Sequence, residues 1–233
     1  MTTLVACSHG TRFAEGRAAV AELVARVADL LPDIRVVPAF VDVEEPSLAH
    51  VLDALPHGEP AVVVPLLLSR GYHTGVDIAR AVAARSGTAA SAPLGPHELL
   101  ADVLADRLAE VAGGDGGRRP GDHVVLAAAG SSAPIAVEDV ARLRDLLAER
   151  VPAPVTVGYA AGAFPRIGEA IADARAAGAR RVVVASYVLA PGHFANLVAD
   201  AGGDAVTAPL GPDPRIAELV ALRFRAVPVV RGS

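Results

Sequence analysis

"AVVVPLLLSRGYH", residues 61–73, returns 120 positions later as "RVVVASYVLAPGH", residues 181–193, with His73 over His193. At the same offset "ACSHGTR", residues 6–12, falls where residues 127–130 read "AAAG", with Gly10 over Gly130. An offset of 119 sets "VVPAFVDVEEP", residues 36–46, on "VTVGYAAGAFP", residues 155–165. One of 116 sets "APLGP", residues 92–96, on an identical "APLGP", residues 208–212. Four segments in one order, at nearly one offset, indicate a tandem duplication. Between the copies "AGGDGGRRPGD", residues 112–122, has the composition of an exposed linker. The expected domains are residues 1–117 and 118–233.

Each copy alternates short β-branched runs with alanine- and leucine-rich stretches. In the first copy strands are expected at residues 3–7, 35–43, 60–68 and 89–92, and helices at 14–31, 47–54, 75–85 and 96–111. Strands that are apolar on both faces and separated by helices form a parallel sheet buried between helix layers, with right-handed crossovers. The fold class is α/β: two tandem doubly wound domains, each with a parallel sheet of about four strands, facing one another across a cleft.

The bulk composition narrows the functions available. With 233 residues, 52% of them hydrophobic, the chain can bury a substantial core. A net charge of −5 with no basic run argues against nucleic acid. No apolar stretch approaches the roughly 18–20 residues that cross a bilayer, no secretory leader pattern is present, and the single cysteine, Cys7, cannot close an internal disulfide. A soluble cytoplasmic protein is expected. All 21 basic residues are arginine, which removes Schiff-base chemistry and phosphate-loop lysines.

In doubly wound sheets ligands bind beyond the carboxyl ends of the strands. There the first copy places His9 after its first strand, Asp42, Glu44 and Glu45 at the end of its second, and Arg70, Tyr72 and His73 after its third. Imidazole nitrogen with carboxylate oxygen suits divalent cobalt, nickel, iron or zinc, and two histidines with one carboxylate leave coordination positions open. The second copy has Ala129 for His9, Ala161 for Asp42 and Phe164 for Glu45, and keeps His193 for His73. Its strands persist without those side chains, so the fold does not require them and their retention in the first copy points to function. Plainer roles compete: His9 as a turn-forming hydrogen-bonding group, Asp42 as a solvated loop charge, Glu45 as a cap for the helix near Ser47, Arg12 and Arg70 as surface charges, His193 as a relic. Cys7 is expected to be a buried, inert strand residue, and His50, His57, His97 and His123 have no assigned role.

"SHGTR" after the first strand, the acidic turn "VDVEEPS" and "VVVPLLLSRGYHTGVDI" together resemble the sirohydrochlorin chelatases, the ATP-independent class II enzymes that include cobaltochelatases and siroheme ferrochelatases. The resemblance covers both halves and matches the long, internally duplicated form. It implies a lyase inserting Co²⁺ or Fe²⁺ into sirohydrochlorin, in siroheme or cobalamin biosynthesis, with Ni²⁺ or Zn²⁺ as substitutes in vitro. It further implies that His9 and His73 bind the incoming metal above the macrocycle and that an acidic residue, Asp42 or Glu45, assists proton removal; the family usually has glutamate where this chain has Asp42. The catalytic set is then His9, His73, Asp42 and Glu45. Substrate carboxylates would meet Arg12 and Arg70 and the backbone N–H groups of Gly10 and Thr11, with Tyr72 and His193 also lining the site. The chain ends "VPVVRGS", without a histidine-rich or cysteine-bearing extension, so no iron–sulfur cluster is expected, and no phosphate loop is visible, so no ATP is expected. The expected partners are the tetrapyrrole and the metal, with no nucleic acid and no membrane, and a monomer is favoured over a dimer. Two rival readings are a metal or tetrapyrrole carrier without turnover, and a histidine phosphatase, whose phosphate-clamping arginine would stand where this chain has Ser8.

Overall fold

The computed structural model describes residues 2–111 and 121–228, excepting the side chains of residues 72–74. The first repeat runs β1 (Thr3–Ser8), α1 (Ala14–Leu30), β2 (Arg35–Phe40), α2 (Leu48–Ala54), β3 (Ala61–Pro65), α3 (Tyr72–Ala83), β4 (Thr88–Ala90) and α4 (Glu98–Val111). The second runs β5 (Asp122–Ala128), α5 (Pro134–Ala148), β6 (Val155–Tyr159), α6 (Ile167–Ala176), β7 (Arg181–Tyr187), α7 (His193–Ala199), β8 (Ala205–Val206) and α8 (Pro214–Arg225). They build two four-stranded parallel sheets of the same order, β2-β1-β3-β4 and β6-β5-β7-β8.

The central strands carry no polar alternation because both faces are covered. All six residues of β1 are buried. On one face Val5, Cys7, Ala39 and Val63 pack with Leu48, Val51 and Leu52 of α2 and Ile78 of α3; α1 and α8 pack together as the other layer. The second sheet repeats the plan, with Val125, Ala127, Val182 and Val184 against Ile167, Ala170 and Ile171 of α6 and Val198 of α7. Burying one such aliphatic side chain is worth about 1.5–3 kcal/mol.

The compact units do not coincide with the repeats. One unit comprises residues 1–94 and 211–233, the other residues 95–210. Both changeovers fall inside the duplicated "APLGP", between Leu94 and Gly95 and between Leu210 and Gly211. Each repeat therefore gives its last helix to the other repeat's sheet. Helix α4 packs on α5 and β7, and α8 on α1 and β3. Apolar stripes anchor both helices where they pack: Leu100, Val103 and Leu104 of α4, and Ile216, Leu219 and Val220 of α8, are wholly buried. Polar ties reinforce it, with Arg150 Nε donating to Asp102 Oδ1 at 2.6 Å and Arg223 Nη2 to the Leu94 carbonyl at 2.8 Å.

Three boundaries differ from expectation by three residues. Strand β2 stops at Phe40, not at residue 43, because the chain turns back and Phe40 bridges to Ser47. Strand β3 stops at Pro65, which has no N–H of its own to donate, although the Leu66 N–H still reaches the Cys7 carbonyl at 2.7 Å. Helix α3 begins at Tyr72, three residues early, so residue 73 lies in its first turn and not in the preceding loop. The linker at residues 112–120 lies outside the described residues; Asp122, assigned to it, opens β5 and pairs with Arg181 at 3.5 Å. Among the described residues no helix is long and apolar enough to cross a membrane.

Candidate metal-transfer site

Strand order fixes where a ligand can sit. From β1 the chain crosses to β2 on one side, and from β3 it crosses to β4 on the other, so the switch point, where such sheets bind ligands, lies at the carboxyl ends of the neighbours β1 and β3. His9 follows β1 directly and is exposed. The connection from β3 carries Arg70, also exposed, into the first turn of α3, where residue 73 lies. The backbone thus brings His9 and position 73 to the two sides of one switch point. The side chains of Tyr72 and His73 lie outside the described residues.

The loop after β1 and the loop after β2 are zipped together. Val41 N–H donates to the Ser8 carbonyl at 2.9 Å and Asp42 N–H to the His9 carbonyl at 3.0 Å. Gly10 makes this approach possible. It sits at φ +96°, and a Cβ there would lie 2.1 Å from the Asp42 carbonyl oxygen, inside any tolerable contact. Val43 takes a left-handed φ of 66° in the same turn, a conformation that costs a β-branched residue on the order of 1–3 kcal/mol.

The three carboxylates of this turn do different things. Asp42 Oδ1 accepts from Val43 N–H at 2.7 Å, and Glu45 Oε2 accepts from Ser47 N–H at 2.7 Å at the entry to α2, so the capping role expected of Glu45 is present. Ser47 itself is the N-cap, accepting from His50 N–H. Glu44 ties the turn to the first loop: Thr11 N–H donates to its Oε1 at 2.7 Å and Arg17 Nε lies 3.3 Å from its Oε2. This corrects the expectation for Thr11, whose N–H is committed to the protein's own carboxylate and not left for a substrate. Nor do the acidic side chains gather with His9: among the described residues no three His, Cys, Asp or Glu groups come within metal-binding reach of one another. Sequence reasoning placed Glu44 in the acidic cluster and missed its tethering role. The available signal was Arg17, one turn into α1, together with Ala163 replacing Glu44 in the second repeat. Arg12 is exposed just before Phe13, the N-cap of α1.

The second repeat reproduces the backbone without the chemistry. Ala160 and Ala161 donate to Ala128 and Ala129 at 2.9 Å each, and Gly130, at φ +90°, comes as close to Ala161 as Gly10 does to Asp42. Gly162, at φ +68°, stands where the first repeat has Val43. His193 begins α7 and is exposed, its ring 5.4 Å from that of Phe194. Cys7 is buried in β1, and that burial pushes its thiol pKa up to about 12, which keeps it protonated and inert.

A family model described as CbiX matches residues 3–111 and, again, residues 123–227. A curated relative, the chloroplastic sirohydrochlorin ferrochelatase of Arabidopsis thaliana, is 33% identical over 113 residues, 45% of this chain and 50% of its own length; the match spans half of that relative. The solved structure "SirB from Bacillus subtilis with Fe3+" has a TM-score of 0.79 at 20% identity, covering 96% of this chain and 94% of that one. The sirohydrochlorin chelatase SirB from Bacillus subtilis subspecies spizizenii, in complex with cobalt, has a TM-score of 0.71 at 21% identity, with 96% and 94% covered. At such identities the structures establish the fold, and the doubled family match, on two sheets of one topology, makes the chain a member of the CbiX family.

Proposed function

We propose that the chain inserts Co²⁺ or Fe²⁺ into sirohydrochlorin without ATP, serving siroheme or cobalamin biosynthesis. The observation that carries this reading is the β1–β3 switch point, which has His9 on one side and position 73 on the other in the repeat that keeps both histidines, while the other repeat keeps the backbone and lacks the first. The relatives support it: one is named a sirohydrochlorin ferrochelatase, and two solved neighbours hold iron and cobalt.

In this reading neutral imidazoles of His9 and His73 hold a partly dehydrated metal ion loosely enough to surrender it. The ion lowers the acidity threshold of the pyrrole N–H groups facing it. Two protons leave as M²⁺ enters, so the macrocycle core stays neutral, and Asp42, whose main chain is bonded to that of His9, is the first acceptor. Glu45 serves α2. Arg12 and Arg70 pair with rim carboxylates of the substrate, Ni²⁺ and Zn²⁺ substitute in vitro, and the protein works as a cytoplasmic monomer.

The test is turnover. Purified protein at one-hundredth the substrate concentration is incubated with sirohydrochlorin and either metal, and the absorption spectrum is followed. Conversion of all the substrate supports the enzyme; uptake that stops at one equivalent per chain, with no acceleration over the protein-free rate, identifies a carrier.

A further inference from the structure

The carboxyl edge of the second sheet has its own unexplained feature. Phe164, in the loop after β6, is 71% exposed, and the guanidinium of Arg166 stacks over its ring, 4.7 Å from the centroid. The backbone beneath is fixed: Arg166 bridges to Tyr159, and its N–H donates to Glu169 Oε2 at 2.7 Å. Arg166 Nη1 is buried and has no hydrogen-bond partner among the described residues. In the first repeat the same two positions hold Glu45 and Ser47, which satisfy one another at 2.7 Å. A self-satisfied polar pair has thus been replaced by an exposed phenyl ring and a half-buried guanidinium stacked on it.

Each half of that replacement names a ligand feature. A phenyl ring left in water forgoes the stabilisation that burial would return, and it favours a flat conjugated partner. A stacked guanidinium keeps its N–H edge for a planar anion and holds a carboxylate through two parallel bonds. We infer that Phe164 and Arg166 form a holding site, within the unit of residues 95–210, for a planar conjugated ring bearing carboxylates at its rim: Phe164 takes the ring and Arg166 a peripheral carboxylate. Identifying that ring with sirohydrochlorin rests on the function proposed above. The decayed metal site has, on this inference, become a macrocycle site.

The experiment titrates metal-free sirohydrochlorin into the full chain and into Phe164→Ala, Arg166→Gln and Phe164→Trp variants. Phe164→Ala and Arg166→Gln are each expected to weaken binding about tenfold. Phe164→Trp is expected to bind as the wild type does, and its tryptophan, in a chain that otherwise has none, to be quenched by the macrocycle. Unchanged affinity in both truncations, or an unquenched tryptophan at saturation, overturns the site. The insertion assay on the same wild-type preparation separates the two proposals. Turnover with unchanged affinity in Phe164→Ala and Arg166→Gln overturns the site and leaves the enzyme; Phe164-dependent binding without turnover supports the site and overturns the enzyme.

Discussion

The main-chain N–H of Asp42 donates to the carbonyl of His9 at 3.0 Å, so the imidazole after β1 and the acidic turn after β2 share a peptide hydrogen bond. The second repeat keeps that bond between Ala161 and Ala129 at 2.9 Å. The backbone is therefore indifferent to the side chains it presents. His9→Ala should leave the thermal midpoint within about 1 °C, because the side chain is exposed, yet cut metal insertion by about 100-fold or more, at least the effect of losing a group that merely orients a metal ligand. Insertion within twofold of wild type would remove His9 from the metal path.

Gly10 sits at φ +96° with the Asp42 carbonyl in the space of a Cβ, and Gly130 is in the same position against Ala161. Gly10→Ala must both adopt a disfavoured backbone and push the β2–α2 turn away, at a cost of about 3 kcal/mol. That corresponds to a fall in Tm of roughly 6–12 °C for a chain of this size. Gly130→Ala should cost as much. The two differ in activity: at a temperature where both are folded, only Gly10→Ala should depress insertion strongly, since only it displaces Asp42 from His9. Calorimetry and the insertion assay on the pair check this.

The fold was legible because its signals repeat. The central strands β1, β3, β5 and β7 appear as short apolar runs whose burial on both faces leaves no alternation to misread, and duplication supplied a second reading of each. The exchange of α4 and α8 was not legible. An amphipathic helix such as α4 declares that it needs a sheet but not which one, and "APLGP", the segment where both changeovers occur, looks like an ordinary turn. In the site, His9 stood out by contrast with Ala129. Glu44 did not, because a carboxylate that ties down an amide and one that faces solvent have the same local sequence; only the placement of Thr11 and Arg17 distinguishes them.

Glu44 holds Thr11 N–H through one oxygen and Arg17 through the other. Glu44→Gln keeps a carbonyl oxygen for the amide and loses the ion pair, which with Arg17 half exposed is worth less than about 1 kcal/mol. Insertion should stay near wild type. Glu44→Ala loses both contacts, leaves the Thr11 amide without its acceptor and should cost about 1 kcal/mol in urea unfolding. With the turn loosened, insertion should drop roughly tenfold, the lower range for groups that orient a metal-binding residue. Equal loss in Gln and Ala would mean that the charge, and not the tether, matters.

Cys7 gives a pH test of the core. Burial pushes its pKa up to about 12, against about 8.5 for an exposed thiol. Below pH 8.5 the thiol is protonated folded or unfolded and contributes no pH dependence. Above it, the unfolded chain releases the proton while the fold retains it, so unfolding becomes easier by up to about 1.4 kcal/mol per pH unit, until the pH nears the folded value. Alanine occupies the equivalent position 127 in the second repeat, so Cys7→Ala should fold normally and lack this term. Urea unfolding of both proteins should show the wild type losing roughly 2 kcal/mol relative to the variant between pH 8.5 and pH 10. Parallel curves over that range would show that the thiol ionises as readily in the fold as in water, which burial in β1 forbids.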